Sequence, residues 1–113
     1  MSLLRSSDLK LDFDKMGGLV PVVVQDHLSK EVLMLGFMNE AAWEKTWQTG
    51  LVTFWSRTRE RLWTKGETSG HTLEVRRILV DCDDDALLIE AKPNGPTCHT
   101  GERTCFYREV GSA

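Results

Sequence analysis

The residues in this chain best suited to chemistry are three cysteines and a run of carboxylates. Cys98 and Cys105 bracket CHTGERTC at 98–105, with six residues between them, Gly101 among these. That loop is long enough to fold both sulfurs onto one ion, although it is wider than the usual two-residue zinc knuckle. Cys82 raises the soft donors to three, the number a catalytic zinc takes while keeping a fourth position open; His99 could instead close the site as a fourth ligand. Against this stands the plain role of cysteine as a small buried hydrophobe. Cys82 itself lies in DCDDD at 81–85, where four carboxylates surround one thiol. Asp favours turns, and the run separates two apolar stretches, so a solvated hairpin turn accounts for it. Yet clustered carboxylates repel one another, and a hard dication such as Mg2+ relieves that repulsion. If residues 80–84 are extended, alternation sends Asp81 and Asp83 to one face and Cys82 to the other. The thiol is then available to a zinc site with Cys98 and Cys105, of the same chain or of a second copy across a two-fold axis, and the second copy is our expectation.

A third constellation is TFWSRTRERLWTKGETSGH at 53–71. Arg57, Arg59, Arg61 and Lys65 suit phosphate, the faces of Trp55 and Trp63 suit a purine, and GETSG at 66–70 offers backbone N–H groups and hydroxyls to an anion. In strand phase, the three arginines are equally well read as a solvent-facing row. His71 follows the Gly/Ser loop; a lone histidine is more often an ordinary polar contact than a proton carrier.

These residues need a scaffold, and 113 residues at 41% hydrophobic content make one domain with a core of its own. We expect a compact, β-rich α+β domain over 1–113, with the first 15 residues mobile. Strands are expected at 19–26, 31–38, 51–58, 72–82, 86–92 and 104–110, on their β-branched and aromatic content. One helix is expected over 40–49, with Asn39 as N-cap, Gly50 as C-cap, and Trp43 and Trp47 sharing a core-facing stripe. Pro21 belongs early in its strand or on an edge. A net charge of −3 weighs against a general nucleic-acid binder. The sequence offers no membrane span and no secretory signal, so the cytoplasm is the expected location. An odd cysteine count excludes a fully disulfide-paired chain.

Taken together, LMLGFMN at 33–39, FWSRTRERLWTKGETSG at 54–70, DCDDDALLIE at 81–90 and CHTGERTCFYRE at 98–109 resemble the phosphoribosyl-AMP cyclohydrolase family of histidine biosynthesis. The resemblance runs from about residue 24 to residue 109, in the family's order. It implies an intertwined homodimer with zinc held by Cys82 of one subunit and Cys98 and Cys105 of the other, and Mg2+ on Asp81, Asp83 and Asp85, with Asp84 left to the turn. It also implies a phosphorylated nucleotide substrate bound by Trp55, Ser56, Arg57, Trp63, Lys65, Gly66, Ser69, Gly70 and His71. His99 becomes a candidate proton carrier for zinc-activated water, which opens the N1–C6 bond of 1-(5-phosphoribosyl)-AMP. Thr97 and Thr104 stand where small residues are common in the family. The chain is expected to carry the cyclohydrolase step alone, without the pyrophosphohydrolase domain to which it is fused in some organisms. The competing reading is a non-catalytic, zinc-stabilised module that binds nucleotides or RNA through the tryptophans and arginines.

Overall fold

The computed structural model describes residues 9–112. Its centre is the β-branched run of β1 (Val20–Asp26), whose burial alternates strictly, with Val20, Val22, Val24 and Asp26 turned inward. Pro21 is its second residue, ahead of the parallel pairing that starts at Val22, so its missing N–H takes nothing from that parallel ladder. A turn at 27–30 leads into β2 (Val32–Met38), antiparallel to β1. Asp26 shapes that turn, because its Oδ1 accepts from the N–H groups of Leu28 (2.8 Å) and Ser29 (3.2 Å).

Helix α1 (Glu40–Thr49) begins where expected, with the Asn39 side chain accepting from Ala42 N–H at 2.8 Å, and ends at Gly50 in the left-handed region. Ala42, Trp43 and Thr46 form its buried stripe. The Thr46 hydroxyl accepts from Thr53 N–H and donates to Thr53 C=O, which fixes the helix to β3 (Thr53–Ser56). A hairpin then joins β3 to β4 (Arg61–Thr64) as a separate two-stranded ribbon. The chain continues through β5 (Leu73–Val80) and β6 (Leu87–Pro93). Four strands make the main sheet in the order β2-β1-β6-β5, with β1 and β6 parallel and the other pairs antiparallel.

The ribbon is anchored to the sheet at one point of very close approach. A Cβ on Gly36 of β2 would lie 2.6 Å from two ring carbons of Phe54, so glycine is required there for the Phe54 ring to enter the core. Backbone bonds from Val52 N–H to Leu73 C=O and from Val75 N–H to Gly50 C=O tie the ribbon's entry to the start of β5.

The α+β class, the single main helix and the strand-rich content agree with the sequence reading. Four expectations change. Residues 104–110 form no strand: Cys105 N–H bonds to Leu33 C=O of β2, but the ladder goes no further, and Phe106 and Tyr107 are exposed. Trp47 is half-exposed, stacked at the rim on buried Trp43 at 6.1 Å, because the helix packs along its Ala42, Trp43 and Thr46 line. The row of arginines is broken, since residues 57–60 form a turn, with Glu60 at φ 50°, and β4 is a strand absent from the sequence reading. Finally, 81–85 is a tight turn with Asp84 at φ 61°, so strand alternation does not govern its side chains. Of the first 15 residues, 1–8 lie outside the described residues, and Leu9, Leu11 and Phe13 pack against the core.

Candidate active site and metal centres

The turn at 81–85 closes the β5–β6 hairpin, and its geometry comes from Asp81. The Asp81 Oδ1 accepts from the N–H groups of Asp85 (3.0 Å) and Ala86 (3.2 Å), folding the turn around this carboxylate. As a result, one carboxylate oxygen from each of Asp81, Asp83 and Asp85 lies within 4.8 Å of the others. Asp84 stays out of this group and serves the turn, with its C=O accepting from Asp12 N–H. The Lys15 ammonium stands against the cluster, 3.0 Å from Asp83 Oδ2 and 3.3 Å from Asp85 Oδ2. Its hydrogen bond holds the Asp83 carboxyl below the usual range, whereas hydrogen bonds shared with Asp83 and then Asp81 push Asp85 up. One ammonium therefore leaves part of the like-charge repulsion uncompensated. Three hard oxygens with that residual charge fit a dication such as Mg2+.

The C-terminal thiols sit in a loop closed on itself: Thr97 N–H bonds to Arg103 C=O, Cys98 N–H to Glu102 C=O, and Gly101 N–H to Cys98 C=O. Two further ties hold this loop against the β1–β2 turn. Arg103 reaches Asp26 (3.1 Å) and Glu31 (2.8 Å), and the Thr104 hydroxyl donates to Val32 C=O at 2.7 Å. Cys98 is buried, and its thiol and that of Cys105 influence each other's ionisation. The Thr100 hydroxyl, 3.0 Å from Cys98 Sγ, and then the Thr100 N–H draw the Cys98 pKa down, with help from Cys105 and the Lys65 charge. Burial, then the neighbouring Cys98 charge, pushes Cys105 up. The two thiols are thus shifted in opposite directions, Cys98 toward the thiolate form that ligates a soft metal.

Cys82 is exposed at the other end of β6. β6 has seven residues, and at about 3.3 Å each its ends lie roughly 20 Å apart. Among the described residues, neither Cys82 nor His99 joins Cys98 and Cys105 in a three-ligand cluster.

Beside the cysteine loop opens a cleft of about 320 Å³. Trp63, Lys65 and Gly66 line it from the end of β4, Ser69 and His71 from the following loop, and Cys98 and His99 from the cysteine loop. Lys65 is largely buried, with its ammonium 5.6 Å from the Trp63 ring centre. Two glycines fix His71. A Cβ on Gly95 would meet the His71 ring at 2.5 Å, a Cβ on Gly66 would meet the His71 backbone, and both glycines have positive φ.

The sequence-predicted substrate residues divide. Trp63, Lys65, Gly66, Ser69 and His71 meet in this cleft with Cys98 and His99. Ser56 lines a second groove, with Arg59, Arg61 and Trp63. Arg57 stacks over Phe37 at 4.1 Å, Trp55 is half-buried within β3, and Gly70 bonds through its N–H to Gly66 C=O as part of the loop. Sequence reasoning missed Glu67 and Thr68 in the cleft, and Lys15 at the acidic turn. Glu67 and Thr68 fall inside the quoted Gly/Ser loop, so proximity to it was the available signal; Lys15 left none.

A small α+β fold that sets an indole and a buried lysine beside paired cysteines and a histidine defines a nucleotide-sized site next to a soft-metal donor pair. The model of the phosphoribosyl-AMP cyclohydrolase family matches residues 34–107, and the chain belongs to that family. It is 58% identical over 104 residues to the histidine biosynthesis bifunctional protein HisIE of Staphylococcus aureus, covering 92% of this chain and 49% of that protein. The HisIE proteins of Bacteroides thetaiotaomicron (61% over 98 residues, 87% and 48%) and Shewanella oneidensis (58% over 102 residues, 90% and 48%) are similarly close. The chain thus spans about half the length of the curated relatives it matches. Among the described residues, no helix is long and apolar enough to cross a membrane.

Proposed function

We propose that this chain hydrolyses the N1–C6 bond of the adenine ring in 1-(5-phosphoribosyl)-AMP, at a site completed by a second copy of itself. The observation that carries this reading is the meeting of Trp63 and Lys65 with Cys98 and His99 around one cleft. Trp63 offers a face for the purine, and Lys65 offers a buried cation for the substrate's charge. His99, beside Cys98, takes a proton from the attacking water and returns it to N1 as the bond to C6 breaks. The water oxygen ends as the carboxamide oxygen on C6. His71, held by Gly66 and Gly95 in the lining of the same cleft, would orient the purine ring.

The donors fit two metals. Cys98 and Cys105, with Cys82 of the partner subunit, would hold zinc, since among the described residues the chain's own Cys82, at the far end of β6, does not gather with them. When bound, zinc supplies a lowered pKa for water, to about 7. The same pairing of copies would bring the partner's acidic turn to the cleft, where Mg2+ held by carboxylates suits a substrate phosphate.

Mixing the purified protein with phosphoribosyl-AMP tests this reading, because ring opening changes the purine's ultraviolet absorbance. Turnover is expected in the wild type, and Cys105→Ser should lose bound zinc and turnover together. Binding of the nucleotide with no absorbance change at full zinc occupancy would favour a non-catalytic module, and full turnover by zinc-free Cys105→Ser would remove the metal from the chemistry.

A further inference from the structure

The substrate proposed above carries two phosphates, whereas the cleft that faces Cys98 and His99 offers one lysine. The β3–β4 ribbon shows where a second anion can go. Ser56 pairs with Arg61 and Phe54 with Trp63, so all four side chains lie on one face of the ribbon. Alternation continues to Lys65, whose N–H bonds to Val52 C=O and extends the pairing beyond β4. Arg61, Trp63 and Lys65 therefore form a row along one face, cation, indole, cation, spanning roughly 13 Å between the outer Cα atoms at about 3.3 Å per residue.

Trp63 is shared by two cavities: the cleft on its Lys65 side and a groove of about 350 Å³ lined by Ser56, Arg59 and Arg61 on the other. The groove's cations are not equivalent. The Arg61 guanidinium lies 2.9 Å from Glu67, which neutralises part of its charge and holds it in place. Arg59 is exposed and makes no ion pair with a described residue. Its own N–H bonds to Ser56 Oγ at 3.2 Å, so the turn that carries it is fixed.

We propose that Arg59, supported by Arg61 and the Ser56 hydroxyl, binds one of the two substrate phosphates, with the purine lying across Trp63 and the other phosphate on the Lys65 side. An unpaired guanidinium on a fixed turn is suited to a dianionic phosphate, which it can grip with two parallel N–H bonds. This inference rests on the proposed cyclohydrolase reaction, and the test separates the two.

The experiment measures kcat and KM of wild type, Arg59→Gln and Arg59→Lys on phosphoribosyl-AMP and on two analogues, each lacking one phosphate. Arg59→Gln is expected to raise KM about 10- to 100-fold, the size of a charge-assisted hydrogen-bond loss, with a much smaller change in kcat. Arg59→Lys should recover part of the loss, keeping the charge without the fork. On one of the two analogues the Arg59→Gln penalty should disappear, which identifies the phosphate bound. If wild type turns over phosphoribosyl-AMP and Arg59→Gln has an unchanged KM, or an equal penalty on both analogues, the groove is not a phosphate site. Absence of wild-type turnover would instead overturn the proposed reaction itself.

Discussion

Replacing Gly36 with alanine tests how the ribbon that carries Trp63 and Lys65 is seated. The new methyl would stand 2.6 Å from Phe54 Cδ1 and Cε1, about 1 Å inside the favourable carbon–carbon separation of roughly 3.5–4.0 Å. The ring cannot step aside, since Phe54 is only 2% exposed and packs against Trp63 at 5.8 Å. Overpacking of this kind costs about 1–3 kcal/mol. Alanine also reduces the entropy of the unfolded chain, which returns about 0.4–1 kcal/mol. The steric effect wins, leaving a net loss of about 1–2 kcal/mol, or roughly 5–10 °C in Tm for a domain near this size. Urea unfolding of Gly36→Ala, Phe54→Leu and the double variant measures the coupling. The double variant should be at least about 1 kcal/mol more stable than the sum of the single losses predicts, because the smaller side chain makes room for the methyl. KM for the substrate should rise in Gly36→Ala and fall back in the double variant. A Gly36→Ala protein as stable as the wild type, with additive behaviour in the cycle, would refute the close approach.

Three further outcomes follow from particular residues. Burial alone would raise Asp26, but the N–H groups of Leu28 and Ser29 and the Arg103 charge hold its pKa below the ordinary value of 3.8. Its contribution to stability is therefore present above that pH and lost as pH falls through the folded-state pKa; the urea midpoint should drop on acidification, and Asp26→Asn should flatten that dependence. Lys15 competes for the carboxylates that would hold Mg2+, so Lys15→Met should lower the half-saturating Mg2+ concentration by a small factor, as expected for a solvent-screened ion pair; titration by calorimetry reads this directly, and an unchanged or weaker affinity would contradict it. Thr97 Oγ1 is buried with no partner among the described residues, so Thr97→Val should leave thermal stability unchanged or raise it, and a loss of more than about 1 kcal/mol would point to a hydrogen bond at that hydroxyl.

The parts of the fold that were legible in the sequence are those that local physics dictates. Alternating valines specify β1, and Asn39 and Gly50 bound the helix because each satisfies end groups within a few residues of itself. β4 was not legible: its turn, at 57–60, uses Glu60 at φ 50° where a glycine or asparagine would have marked it. The segment at 104–110 misled through composition, since its aromatic and β-branched residues build no ladder with β2: among the described residues one backbone bond, from Cys105 N–H to Leu33 C=O, and the Thr104 hydroxyl are what join it to that strand. Parallel pairing of β1 with β6 joins distant parts of the chain and has no local signature. For the site, residue types marked both donor sets. The placement of the two sets at opposite ends of β6, with Cys82 apart from Cys98 and Cys105, and Lys15 meeting Asp83 across 68 positions of sequence, come only from tertiary structure.

That separation makes subunit complementation the most direct test of the account. Cys82→Ser and Cys105→Ser each destroy every zinc site in their own homodimers. When the two variants are unfolded, mixed equally and refolded, about half the dimers are mixed, each with one of its two sites restored, so ring-opening activity should return to about a quarter of the wild-type value. Zinc content should follow the same fraction. A mixture that stays inactive, while wild type taken through the same refolding recovers its turnover, would contradict a site shared between two copies.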